Sequence, residues 1–233
     1  MNANFSLISI LNFLYMIFVL LISLSVHETA HAYIAEKRGD PTGRMLGRIS
    51  LNPLKHLDLV GSFIVPIVLF LMNLPAFGWA KPVPINPGNF KNIRVDSALV
   101  SSAGPLSNLL LTIISVFFMA IYLLIVGQEQ FYSEIIISYT LPNLLLIFAE
   151  INLLLMAFNL LPIFPLDGSY VFEAFLPKGA ILNGYERIKP YGFLILLLLI
   201  MTPILDVFFR FAINGLLRIF VLFPLSMISN IFQ

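Results

Sequence analysis

The chain has 233 residues, of which 59% are hydrophobic and 11% are charged. Soluble globular domains are about 45–50% apolar and about 25% charged, so this composition excludes an ordinary soluble domain. The net charge of +1 gives no bulk field for nucleic acid, and the lack of cysteine excludes disulfides and cysteine-based catalysis or zinc ligation. We therefore expect an all-α polytopic membrane protein with about five to six membrane helices and no nucleic-acid partner.

Long apolar runs divide the chain into predicted membrane segments. Core helices are predicted over about 5–37, 97–126 and 141–169, and accessory C-terminal segments over 190–232. The last stretch, 207–232, is long enough either to span the bilayer or to lie at its interface. Together these segments predict a single membrane-embedded domain over residues 1–233.

Two stretches between the first two core helices differ from ordinary spans. Residues 59–74 are apolar but short, with Gly61 and Pro66 inside, which predicts a re-entrant or interfacial segment. Residues 78–90 are rich in proline and predict an extended stretch.

The sequence HETAH at 27–31 carries a metal-binding pattern. His27 and His31 are four residues apart, so on a helix they share one face with Cβ atoms about 5–6 Å apart. Both rings then reach one Zn²⁺ at about 2.0–2.1 Å. Glu28 is placed to take a proton from an attacking water, as in the H-E-x-x-H pattern. Ionisable groups within membrane helices are costly and usually functional, which favours a metal site over a chance match.

A catalytic zinc needs a third protein ligand, and the residues leave two candidates. His56 lies in a basic loop after the first helix. Asp167 lies at the end of a predicted membrane helix, where an unpaired carboxylate would be costly and a bound metal would explain its position.

Three motifs together resemble the core helices of the site-2 protease family of intramembrane zinc metalloproteases. They are HETAH at 27–31, AGPLSN at 103–108 and NLLPIFPLDGS at 159–169, in the order and spacing of that family. The stretches 39–62 and 78–87 also look like the small subgroup that lacks appended soluble domains.

The resemblance implies a zinc endopeptidase that cleaves transmembrane segments of membrane protein substrates. By resemblance, the zinc ligands are His27, His31 and Asp167. Glu28 is the general base, and Asn159 supports the substrate or the oxyanion near the metal. Where the family commonly has Asp-Gly-Gly, this chain ends the triplet with Ser169, which bears on the local backbone turn rather than on the ligand.

Basic residues predict the orientation. The predicted loops 37–58, 76–96 and 166–189 carry five, three and three Lys or Arg residues, and loop 127–134 carries none. The basic side is cytoplasmic. We therefore expect an integral protein of the bacterial cell (inner) membrane whose active site faces the cytosol, with a substrate helix and the lipid bilayer as partners.

Two questions stay open at this stage. The alternative function is a catalytically inactive metal-binding membrane scaffold or a transporter. A scaffold would not need Glu28, and transporters often contain inverted repeats, which this sequence lacks. Glu150, within the third core helix, has either a structural partner or a functional role.

Overall fold

The computed structural model describes residues 7–72, 78–137 and 139–231, and this part of the chain is helical and contains no strand. The predicted all-α fold is confirmed. The helices are α1 (Leu7–Lys37), α2 (Thr42–Met45), α3 (Val65–Leu71), α4 (Ile93–Val126), α5 (Gln128–Ile135), α6 (Leu141–Asn159), α7 (Asp167–Phe175), α8 (Ala180–Ile188), α9 (Gly192–Ile200), α10 (Pro203–Leu217) and α11 (Phe223–Ile231).

Four helical runs within the described residues are long and apolar enough to cross a membrane. They are Ile10–Lys37, Ile93–Val126, Leu141–Asn159 and Pro203–Ile228. The predicted count of five to six membrane helices stays a prediction. The apolar helix Val60–Leu71 is shorter than these four. It falls within the segment predicted as re-entrant, of which residues 73 and 74 lie outside the described residues.

The chain divides into two compact units, residues 1–104 and 105–233. The boundary falls inside α4, which continues through Pro105 without a break. Membrane helices tolerate proline because neighbouring groups satisfy the freed backbone carbonyl. The prediction of one domain over the whole chain stays a prediction.

In the first unit, α4 begins earlier than the predicted residue 97. Its first turn is charged, and the sequence pattern assigned those residues to a loop. The buried Asp96 carboxylate accepts the backbone N–H of Asn92 at 2.9 Å and the Arg38 Nε–H at 2.6 Å. Asn92 in turn caps α4 by accepting the Val95 N–H at 3.2 Å, and Asp96 ties this helix start to Arg38, the residue that follows α1.

A buried carboxylate holds the far end of the proline-rich stretch. Asp40 is fully buried and accepts hydrogen bonds from Thr42 Oγ1 (2.5 Å), the Asn86 backbone N–H (2.7 Å) and Asn89 Nδ2 (2.7 Å). Burial alone would raise the pKa of Asp40, but these hydrogen bonds outweigh it and lower the pKa below its ordinary value. Residues 78–86, the part of the proline-rich stretch that precedes these contacts, form neither helix nor strand.

In the second unit, polar side chains join α4 to α6. The hydrogen bonds run from Asn108 Nδ2 to Asn152 Oδ1 (2.9 Å), from Thr112 Oγ1 to the Ala149 carbonyl (3.3 Å) and from Ser115 Oγ to the Leu145 carbonyl (2.6 Å). Asn108 and Asn152 are fully buried. Interhelical hydrogen bonds of this kind hold membrane helices together, because lipid offers no hydrophobic driving force between them. Asn108 therefore contributes to helix packing.

Proline sets two helix ends in the second unit. The apolar run over 190–205 is not one helix, because α9 ends at Ile200 and α10 begins at Pro203. Thr202, just before the proline, is extended with φ −105° and ψ 156°, as expected for a residue that precedes proline. Likewise α6 ends at Asn159, and residues 160–166, which include Pro162 and Pro165, form turns before α7.

Candidate metal centre

The two histidines lie on one face of α1, as their spacing predicted. His27 and His31 are 4% and 7% exposed, and their ring centroids are 4.6 Å apart at an interplanar angle of 81°. A Cβ atom added to Gly104 of α4 would lie closer than 3.0 Å to Nε2 of both rings. The two nitrogens therefore converge on the space that the missing side chain of Gly104 leaves open.

The backbone of α4 selects the tautomer of the neutral His31 ring. Its Nδ1 lies 2.7 Å from the Val100 carbonyl oxygen. A carbonyl only accepts, so Nδ1 donates, and in the neutral ring Nε2 then keeps its lone pair. Metal-ligating histidines are usually supported in this way by a partner on the other ring nitrogen. The donor chemistry and the gap at Gly104 fit a zinc ion held by two imidazoles.

Glu28 is oriented by the proline-rich stretch of the same unit. Its Oε2 accepts the Val83 backbone N–H at 2.8 Å. Val83 lies between Pro82 and Pro84, which have no N–H, so the one amide donor of this tripeptide is bonded to Glu28. No pattern in the sequence predicts this contact, because a backbone N–H has no signature in the sequence.

His56 lies on the other side of α1. Its Nε2 donates to the Ser50 carbonyl at 2.8 Å and is 3.4 Å from Thr29 Oγ1. Thr29 is two residues from each histidine of the pair, so it faces away from them on the helix. The structure therefore places His56 apart from the converging nitrogens.

Asp167 belongs to the second unit, where it is the first residue of α7. A carboxylate in the first turn of a helix is stabilised by the helix dipole. Gly168, next to it, packs closely on the end of α6, since a Cβ there would overlap the carbonyl of Leu160. Ser169 is buried within α7, so the Asp-Gly-Ser triplet forms an ordinary helix start.

Asn159 is the last residue of α6, and its side chain turns back along its own helix. Nδ2 donates to the Leu155 carbonyl at 2.9 Å. An amide nitrogen carries two hydrogens, so this bond uses one of them. The catalytic role of Asn159 stays a prediction.

Glu150 lies in the middle of α6 and is half-buried. The structure gives it no hydrogen-bond or ion-pair partner among the residues that it describes. Asn152, two residues further on, faces α4 instead. The role of Glu150 stays open.

Comparison with known proteins places these residues in context. The chain matches the family model described as peptidase family M50 over residues 15–203, which include all five predicted site residues. It is 39% identical over 190 residues to "Putative zinc metalloprotease YwhC" of Bacillus subtilis (strain 168), and the alignment covers 82% of this chain and 81% of that protein. It is 30% identical over 190 residues to "Putative zinc metalloprotease Rip2" of Mycolicibacterium smegmatis (strain ATCC 700084 / mc(2)155), with 81% and 67% covered. The chain has no significant match among solved structures.

Proposed function

The chain belongs to peptidase family M50, the site-2 proteases, and on this premise we propose that it is an intramembrane endopeptidase that cleaves transmembrane segments of membrane protein substrates. The family confirms the resemblance predicted from the motifs, together with the zinc cofactor and the protease class. With four apolar helices long enough to cross a bilayer, the chain is an integral membrane protein.

The observation that carries the proposal is the convergence of two imidazole nitrogens beside a carboxylate on a helix able to span the membrane. His27 and His31 direct Nε2 at the gap beside Gly104, and Glu28 lies next to them on α1. A zinc protease site takes three protein ligands and keeps one position open. We assign the third ligand to Asp167, because its carboxylate can bind zinc. Asp167 is the first residue of α7 and directly follows the turn over residues 160–166.

The chemistry follows from the roles of these side chains. When bound, zinc acts as a Lewis acid on the scissile carbonyl and lowers the pKa of water. Glu28 takes a proton from the attacking water and passes it to the leaving amine. The Val83 N–H engages Oε2 of Glu28, which leaves Oε1 to carry that proton. The second amide hydrogen of Asn159 supports the oxygen on which negative charge develops.

The same proposal assigns an orientation and partners. The basic residues of the predicted loops support an active site on the cytosolic side of the bacterial cell membrane. The partners are the bilayer and a substrate helix, which must unwind locally because a helix engages its own carbonyls in hydrogen bonds.

Variants of the site test the proposal. Glu28→Gln should keep zinc while cleavage of a membrane substrate falls by about 10²–10⁴-fold, the usual contribution of a general base. His27→Ala and Asp167→Ala should both lower the zinc content in elemental analysis, and His56→Ala is the matched control that should not. Full activity of Glu28→Gln would contradict the base assignment. A wild-type protein that holds zinc but cleaves no substrate would favour the scaffold.

Asn159 requires its own test. Asn159→Ala should lower the cleavage rate by roughly 10²–10³-fold, the cost of losing one donor to a developing oxyanion. Zinc content and thermal stability should stay near wild type. If activity falls only as much as the thermal stability does, Asn159 stabilises the end of α6 and has no catalytic role.

A further inference from the structure

The short helix α8 contacts the turn that presents Asp167, and both lie in the second unit. The hydroxyl of Tyr185 lies 3.1 Å from the Ser169 carbonyl and 3.3 Å from the Pro162 carbonyl. In sequence these two carbonyls stand on either side of Asp167. The phenol has one hydrogen, which the two carbonyls share, and Tyr185 thereby contacts both sides of the turn that leads into α7.

The turn over residues 160–166 has backbone hydrogen bonds of its own, among them the Ile163 N–H to the Leu161 carbonyl at 2.8 Å, but two of its residues cannot donate. Pro162 and Pro165 carry no N–H, so neither can donate within it. The Leu166 N–H donates to the Ile163 carbonyl at 2.9 Å, and the Ser169 N–H donates to the Leu166 carbonyl at 3.0 Å. The Tyr185 hydroxyl adds a donor from outside to this turn, in which two residues have none.

The ring of Tyr185 is held in place by α7 itself. It packs edge-to-face on Phe172, with ring centroids 5.5 Å apart at 66°. Burial, and then the nearby charge of Glu173, raise the pKa of Tyr185. The phenol therefore remains protonated and keeps its hydrogen to donate.

Lys189 makes a second contact with α7. It follows Tyr185 by four residues, and the backbone at Lys189 is still helical, so the two side chains share a face. Lys189 Nζ lies 2.7 Å from Glu173 Oε2 and 4.2 Å from the centroid of the Tyr170 ring. Tyr185 and Lys189 thus hold the first two turns of α7 from the same side.

We propose that Tyr185 is a positioning residue for the zinc ligand Asp167: its hydroxyl, bridging the carbonyls of Pro162 and Ser169, holds the turn in the shape that presents the carboxylate. The proposal rests on the proposed role of Asp167 as a ligand. A ligand on an unbraced turn must be ordered when the metal binds, and that ordering weakens binding. Groups that support metal ligands from the outer shell typically contribute 10–100-fold, on the order of one to two decades, to metal affinity.

The test compares Tyr185→Phe with Tyr191→Phe in the full chain. The first variant removes the bridging hydroxyl and keeps the ring against Phe172. The second removes a hydroxyl from a side chain that is 63% exposed and has no hydrogen bond among the described residues. The zinc dissociation constant is measured by competition with a chelating dye in detergent or nanodiscs, and the melting temperature is measured without zinc.

Tyr185→Phe should weaken zinc binding by about 10-fold or more, while Tyr191→Phe should match wild type. The melting temperature of zinc-free Tyr185→Phe should fall by only about 2–4 °C, the shift expected when a chain of this size loses one hydrogen bond. Its cleavage activity should need more zinc to reach the same plateau. A merely structural hydroxyl would lower the melting temperature and leave zinc affinity unchanged.

Two further variants separate failure of this proposal from failure of the site assignment. If Asp167→Ala loses zinc but Tyr185→Phe binds it as wild type does, the positioning role is overturned and the ligand set stands. If Asp167→Ala keeps wild-type affinity, the ligand assignment is overturned and the positioning role with it. Lys189→Met removes the other contact on α7 and should also weaken zinc binding. Should Tyr185→Phe not fold, wild-type zinc affinity in Lys189→Met would overturn the proposal.

Discussion

Gly104→Ala tests the candidate zinc site most directly, because it should favour the helix α4 and at the same time disturb the two histidines. Alanine in a helix interior is favoured over glycine by roughly 0.5–1 kcal/mol, so the change alone should stabilise α4. At this position, however, the new methyl group would lie closer than 3.0 Å to Nε2 of both His27 and His31. Both rings must move away from the point where their nitrogens converge.

The expected cost in zinc affinity is large. Loss of one outer-shell partner already costs about 10–100-fold. Displacement of two ligating nitrogens should therefore cost at least about 100-fold, which is about 2.8 kcal/mol of binding free energy. We expect Gly104→Ala to be folded, to have lost zinc at concentrations that saturate the wild type, and to be inactive.

Zinc content is measured by elemental analysis after equilibration at graded free zinc, with thermal unfolding as a check on folding. Gly215→Ala in α10 is the matched control, because a Cβ there meets nothing within 4 Å. That variant should keep wild-type zinc affinity and gain the stability of a better helix former. A folded Gly104→Ala protein that binds zinc as tightly as wild type would refute the convergence of the two rings on this gap as a metal site.

Three further predictions concern the framework around the site. Because hydrogen bonds hold the pKa of folded Asp40 below its unfolded value of about 3.9, the stability they supply is present above about pH 4 and lost as the pH falls through the folded pKa. Thermal unfolding curves of wild type and Asp40→Asn should therefore converge in acid, and a constant difference would contradict this. A double-mutant cycle on Asn108 and Asn152, each changed to Ala, should give a coupling energy of about 0.6–2 kcal/mol, and a value near zero would show that the pair adds nothing. Single cysteines at Leu46 and Lys91, in a chain that has none, should both be labelled from the cytosolic side. Labelling from opposite sides would mean that the short apolar segment between them crosses the membrane.

The sequence predicted those features that depend on one helix. The spacing of His27 and His31 was enough to place both rings on one face of α1. That helix was predicted to end near residue 37, just before Gly39 and Pro41, and it does end at Lys37. In each case the relevant residues are neighbours in the chain, so helical geometry alone relates them.

The contacts that complete the candidate site could not be predicted in this way. The Val100 carbonyl that fixes the His31 tautomer is 69 residues away in the sequence, and the Val83 N–H that holds Glu28 is 55 residues away. Both are backbone groups: every residue has a carbonyl and every residue except proline has an N–H, and no periodicity in the sequence distinguishes one from another. Only the fold selects which amide or carbonyl meets a given side chain.

The effect of a proline on a helix could not be predicted from the local sequence either. Pro105 lies inside α4, whereas Pro203 begins α10 after an extended residue. Locally both are prolines in apolar runs. The outcome depends on whether the surrounding structure satisfies the carbonyl that a proline leaves unpaired, and this is decided by packing partners distant in the sequence.

The hydrogen bonds between α4 and α6 have a consequence for the insertion of the protein into the membrane. If α6 entered the bilayer alone, Asn152 Nδ2 would keep its bond to the Phe148 carbonyl, but its Oδ1 would face lipid, which offers no donor. Because α4 precedes α6 in the chain, we expect Asn108 to enter the membrane before α6 leaves the ribosome. The order of the helices thus makes α4 a template for the insertion of α6. A circularly permuted gene that delivers α6 first should yield less membrane-integrated protein, although every contact of the finished fold would be the same.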